Sequence, residues 1–189
     1  MASDRPWLDH LRESSIALQG VLGALQRYRL EHQDDPQLLR VSLFLLDYPF
    51  AKRLYPGALA ALARCSTLGH TVILSDGDVV FQPHKVQRAG LWDAVGRRVL
   101  IYLHKELMLG DIEQHYPAEH YVMIDDKLRI LAAMKAIWGE TLTTVFVRQG
   151  HYALDPRELC AWPPADVTIS SIAELVEVPP AVLGGGAAG

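Results

Sequence analysis

Apolar side chains recur at intervals of three and four near the start of the chain. Leu8, Leu11, Leu18, Leu22, Leu25 and Tyr28 share a register with Ser15, which marks one face of an α-helix. Gln33-Asp34-Asp35-Pro36 breaks that pattern. A second apolar stretch, Leu38 to Leu46, runs to Asp47-Tyr48-Pro49, where a residue preceding proline is pushed out of the α region. Residues 1–53 therefore read as a helical segment. From Leu54 onward, short β-rich runs alternate with helical ones. Tyr55-Pro56-Gly57 opens a helix that ends at Gly69. The runs 70–74, 98–102, 120–124, 143–147 and 166–169 read as strands. Between them, 82–89, 105–114 and 127–138 carry helical spacing, and a last helix follows from Ser171 to Glu177. Continuous apolar strands separated by helices predict an α/β fold with a doubly wound, mostly parallel sheet. Residues 179–189, rich in proline and glycine, read as a flexible tail.

Composition narrows the function classes. The chain has 189 residues, of which 50% are hydrophobic and 21% charged, with a net charge of −4. That is ordinary globular composition. It predicts no nucleic-acid partner and no membrane partner, because no basic surplus and no apolar run of ~18 residues is present. The polar start of the chain lacks a signal-peptide core, so the expected location is cytoplasmic. Cys65 and Cys160 stand far apart and read as two reduced thiols. The composition is equally compatible with a monomer and an oligomer.

In open α/β sheets the functional crevice lies beyond the carboxyl ends of the strands. The residues after four successive predicted strands are therefore the candidates: Ser75-Asp76-Gly77-Asp78, His104-Lys105, Asp125-Asp126-Lys127 and Arg148-Gln149-Gly150-His151. Ser75 offers a hydroxyl, and the turn through Asp76 and Gly77 offers backbone N–H groups, a combination that holds phosphoryl oxygens. Lys105 supplies a cation for that anion. Asp125 and Asp126 are hard oxygen ligands of the kind Mg²⁺ takes. His151 stands at the crevice edge, within reach of a substrate. Each feature alone also has a plain structural reading, as a turn serine, a solvated lysine or a helix cap. Their joint order carries the functional one.

That order resembles the haloacid dehalogenase superfamily over residues 54–178. Ile73-Leu74-Ser75-Asp76-Gly77 is similar to its second motif, Lys105 stands where its third-motif lysine belongs, and Ile124-Asp125-Asp126 is similar to its acidic fourth motif. Ala165 to Ile169 followed by Ile172-Ala173-Glu174-Leu175 resembles its last strand and helix. The resemblance implies a Rossmann-type core with a helical cap remnant in residues 1–53. It implies a phosphatase-type hydrolase acting on a small phosphorylated molecule, with Ser75, Lys105 and Asp125 catalytic, Asp76, Gly77 and His151 binding substrate, and Asp125 and Asp126 on Mg²⁺.

One element of the family pattern is missing. The first motif, D-x-D-x-T after an apolar strand, supplies the aspartate nucleophile. The best candidate is Asp47, but Pro49 stands where the second acid belongs and Ala51 where the threonine belongs. Asp47 therefore reads as a cap or linker residue. Asp76 and Asp78 repeat the D-x-D spacing but already lie in the second motif. Without a nucleophile, hydrolysis is expected to be impaired, and the alternative is a catalytically silent binding module. The first strand, central in this family's sheet, would also be missing. Its place is expected to be taken by Val41–Leu46 as a strand, by rearrangement, or by a partner chain. A response-regulator receiver also combines an acid pair, a Ser/Thr and a Lys, but there the acid pair comes first in the chain.

Overall fold

A computed structural model describes residues 21–184. The predicted helical face from Leu8 to Leu18 and the glycine-rich end from Gly185 lie outside the described residues. Helix α1 (Val21–Glu31) is followed by α2 (Gln37–Leu46) and a single 3₁₀ turn, Phe50–Arg53. The α/β part then runs α3 (Ala58–Ser66), β1 (Ile73–Asp76), α4 (Phe81–Arg88), α5 (Leu91–Ala94) and β2 (Val99–Tyr102). A 3₁₀ turn, Lys105–Leu107, leads into α6 (Leu109–His115), β3 (Tyr121–Asp125), α7 (Leu128–Trp138) and β4 (Leu142–Val147). The chain ends with α8 (Gly150–Ala153), α9 (Pro156–Ala161), β5 (Val167–Ile169) and two 3₁₀ segments, Ile172–Glu177 and Pro180–Leu183.

Every strand pairing is parallel, as the continuous apolar strands predict. The strands form two pieces, β1-β2 and β3-β4-β5. Helices α6 and α7 pack on one face of both. Leu109, Ile112, Leu131 and Met134 meet Met123 and Phe146 there, with Leu74, Leu100 and Tyr102 packed against the same cluster. The two pieces are therefore parts of one layer. On the other face Ala61 of α3 joins Val145, Val147, Ile169, Leu175 and Leu183. Gly57 sets the entry to α3. Its φ is +81°, and a Cβ there would come within 2.6 Å of the Ala173 side chain, so both conformation and space require glycine. No helix among the described residues is long and apolar enough to cross a membrane.

The structure corrects three expectations. Val41–Leu46 is not a strand in the sheet; it belongs to α2, no residue of which is buried, with Leu39 67% and Phe44 62% exposed. A leucine-rich run satisfies its own backbone as a helix, and the tie from His84 Nε2 to the Leu46 carbonyl, 2.7 Å, holds its end against α4 instead. Residues 179–184 are not a loose tail, because Leu183 is buried beside Ile169 and Leu175. The segment 105–114 is interrupted rather than one helix: Met108 separates a 3₁₀ turn from α6.

Candidate active site

The carboxyl ends of β1 and β3 meet at Lys105. Its ammonium is paired with Asp125 Oδ2, and the two side chains are 8% and 7% exposed. The same ammonium lies 3.5 Å from the carbonyl of Leu74. Its backbone N–H donates to Asp76 Oδ1 at 2.8 Å. Asp125 Oδ1 accepts the N–H of Lys127 at 2.9 Å. A lysine read from sequence as a candidate cation is thus buried and held from three sides. Desolvating an ammonium is tolerable only with such partners.

Asp126 completes the cluster. Its pKa is raised, first by burial and then by the adjacent charge of Asp125, with Lys127 acting weakly the other way. A Cβ built on Gly150 would lie 3.1 Å from Asp126 Oδ2 and 3.4 Å from the Tyr55 hydroxyl, and Gly150 has φ +88°. Any side chain there would crowd both the carboxylate and the phenol. Tyr55 is the group sequence reasoning missed. The sequence marks it only as the start of a helix, yet its hydroxyl and Asp126 both border Gly150, and no spacing rule points to it.

The other candidates are placed differently. Ser75 is in β1, and its hydroxyl donates to the Asp76 carbonyl at 3.3 Å. It also lines a cavity of about 250 Å³ with Lys85, Gln82 and Phe50. The Gly77 N–H is taken by the Tyr102 carbonyl at 2.9 Å, so it is not a free donor for a phosphoryl oxygen, because the β1–β2 ladder continues one residue past Asp76. Asp76 positions Lys105 through the bond just described. Asp78 caps α4, accepting from the N–H groups of Val80 and Phe81. Asp47 is the exposed C-cap of α2. His151 is exposed in α8 with its ring 5.6 Å from that of Tyr152. The Lys127 ammonium lies 4.2 Å from the Tyr152 ring centre. Next to Lys105, Glu106 is buried and accepts from Arg129 at 2.7 Å. Burial is the largest single influence and raises its pKa, but the hydrogen bond and charge of Arg129, a backbone hydrogen bond and the charge of His104 together outweigh it, and the net shift is downward.

Fold and site together define a doubly wound α/β protein with an acid–lysine cluster at the carboxyl ends of its strands. A haloacid dehalogenase-like hydrolase of Burkholderia xenovorans LB400 shares 65% sequence identity and superposes with a TM-score of 0.82, over 86% of this chain and 74% of that one. A haloacid dehalogenase-like family hydrolase of Xanthomonas campestris shares the fold at 19% identity, with a TM-score of 0.59 over 86% of this chain and 67% of that one. No family sequence model matches the chain, and no curated protein does. The chain belongs to the haloacid dehalogenase-like hydrolase family.

Proposed function

We propose that the Lys105 cluster is the phosphoryl site of a phosphatase-type hydrolase for a small phosphorylated molecule, with hydrolysis impaired because the nucleophile motif is absent. The observation that supports this is the buried Lys105–Asp125 pair, which brings a cation and a carboxylate to the joint end of β1 and β3. In this reading Lys105 neutralises the phosphoryl charge, Asp76 fixes the lysine backbone, and the Ser75 hydroxyl supplies a further donor. Asp76, Gly77 and His151 would contribute to holding the substrate.

Asp125 and Asp126 fit Mg²⁺, which takes one or two carboxylates plus water and substrate oxygens. The raised pKa of Asp126 marks a carboxylate that a cation would relieve. No cluster of three or more acid, His or Cys side chains able to hold a metal occurs among the described residues, so Asp125 and Asp126 would be the residues to hold the ion, with the remaining ligands coming from water or substrate oxygens. When bound, the metal would supply charge neutralisation at the transferring group. The covalent step is the weak point. Asp76 and Asp125 are engaged with Lys105, and Asp47 is exposed at a helix end. No aspartate among these is left to attack phosphorus.

An aryl phosphate assay with Mg²⁺, on wild type and Asp125→Asn, tests the reading, with circular dichroism to verify the fold of the variant. Slow Mg²⁺-dependent turnover that disappears in the variant is the expected result. No turnover, with a Mg²⁺-dependent thermal shift from inorganic phosphate, would favour a silent binding module. Absence of both responses would overturn the phosphoryl site.

A further inference from the structure

The stretches that follow the predicted strands carry Lys105, Lys127 and Arg148 as their cations. The first two are spent. Lys105 is paired with Asp125, and the Lys127 ammonium lies over the Tyr152 ring. Arg148 is not. Its backbone N–H donates to the Ile169 carbonyl at 2.9 Å, which fixes its place just past the end of β4. Among the described residues its guanidinium pairs with no acid, carbonyl or ring. The side chain stands on the wall of a second cavity, of about 240 Å³.

Strand register builds this cavity. Thr168 of β5 pairs with Phe146 of β4, and residues in register turn their side chains to the same side of the layer, as does Arg148 two positions on. Phe146 forms the floor with Leu128 of α7 and Leu159 of α9, which pack together on that face. Trp162 and Pro164 form the outer wall. Trp162 precedes two prolines and is extended, with φ −127° and ψ 151°, as a residue before proline is driven to be. The prolines fix φ in turn, so this wall is stiff and little ordering is lost when something binds against it. The polar lining is equally specific. It consists of the Arg148 guanidinium, the Trp162 indole and the Thr168 hydroxyl, all able to donate, and no acid or amide side chain lines the cavity. Among the described residues neither the indole nor that hydroxyl has a hydrogen-bond partner.

We infer that this cavity is a binding site for a small aromatic monocarboxylate, with its ring against Phe146 and Trp162 and its carboxylate on the Arg148 guanidinium. A lining with donors and a cation but no acid calls for a ligand that brings acceptors and one negative charge. A planar guanidinium meets a carboxylate through two parallel hydrogen bonds. The remaining walls are apolar and partly aromatic, which favours a ring over a small inorganic anion. Size agrees: an apolar cavity of about 150 Å³ suffices for benzene, and about 240 Å³ leaves room for a short acidic arm. Phosphate would use the cation and leave the walls uncovered; a neutral amide would cover the walls and leave the cation unpaired. Ser75, Lys105, Asp125 and Asp126 do not line this cavity, so the inference stands or falls apart from the phosphoryl reading.

The test is a titration of the full chain with phenylacetate, followed by calorimetry and by the indole N–H resonance of Trp162 in nitrogen-labelled protein. Saturable binding that moves this resonance is the expected result. Phenylacetamide, the same shape without the charge, should bind about tenfold more weakly or worse, the loss expected for a hydrogen bond to a charged group. That comparison changes only the ligand, so the folding of the protein is not at stake. Arg148→Met should weaken phenylacetate to the same degree, with a thermal melt to verify the fold. Lys85→Gln, which removes a cation from the cavity beside β1, should leave binding unchanged. No saturable binding, equal affinity for the amide, or inorganic phosphate binding as tightly at Trp162 would overturn the site. So would binding that survives Arg148→Met and is lost in Lys85→Gln.

Discussion

The two pieces of the sheet share a layer but not a state of burial. In β4 all six residues, Leu142 to Val147, are buried, whereas in β1 and β2 every residue is half-exposed. The sequences are similarly apolar; the neighbours differ. β4 lies between β3 and β5 with α7 on one face and α3 on the other. Even its threonines are satisfied: Thr144 exchanges hydrogen bonds with Asp166, and Thr143 Oγ1 lies 2.9 Å from His120 Nε2. Among the described residues β1 has one strand neighbour. A strand's stability is thus conferred by what flanks it more than by its own residues.

The largest expected effect follows directly. Leu131→Ala, beneath the three-stranded piece at 1% exposure, should cost about 3–4 kcal/mol, the range for a fully buried leucine. Leu100→Ala in β2 should cost only about 1–2 kcal/mol, since it already sees solvent. Urea denaturation of both variants measures the gap. Equal costs would mean that the two pieces are equally well packed in solution, and the comparison would fall.

Lys105→Met comes next, because this residue is the polar bridge between the pieces. It would leave Asp125 buried without its cation, at a cost of about 3 kcal/mol. Adding Asp125→Asn should return most of that loss, a coupling that a double-mutant cycle reads out. If the two changes are simply additive, the pair does not tie β1 to β3.

Most of the α/β order was legible because a buried parallel strand is a continuous apolar run, and five such runs are separated by helical spacing. Ser75, Lys105, Asp125 and Asp126 could be chosen because they follow the apolar runs that predict strands, although Ser75 and Asp125 fall within β1 and β3 themselves. Their assembly could not be read, since Lys105 reaches Asp125 and Leu74 only through the packing of β1 against β3. Tyr55 was hidden for the same reason: it and Asp126 border the same glycine, Gly150, far along the chain from Tyr55. Residues 41–46 misled because an unbroken apolar run fits a buried strand and a helix equally well. The choice was made by the absence of anything that buries them, not by their own pattern.

The smallest effect distinguishes a strained acid from a structural one at the mouth between the pieces. Asp126 has its pKa raised by burial and by the charge of Asp125. The native state therefore holds this proton to higher pH than the unfolded chain does, and stability falls as pH rises through the interval between the two values. Above the unfolded value of about 3.9 the native state carries a penalty that grows with pH; well below that value it carries none. Asp126→Asn should accordingly raise the Tm at pH 7 and leave it almost unchanged near pH 3. Millimolar Mg²⁺ should raise the Tm of the wild type at pH 7 and have little effect on the variant. A lower Tm for Asp126→Asn at pH 7 would show that the carboxylate is a supporting contact, and the open end of the sheet would then be no more strained than the closed one.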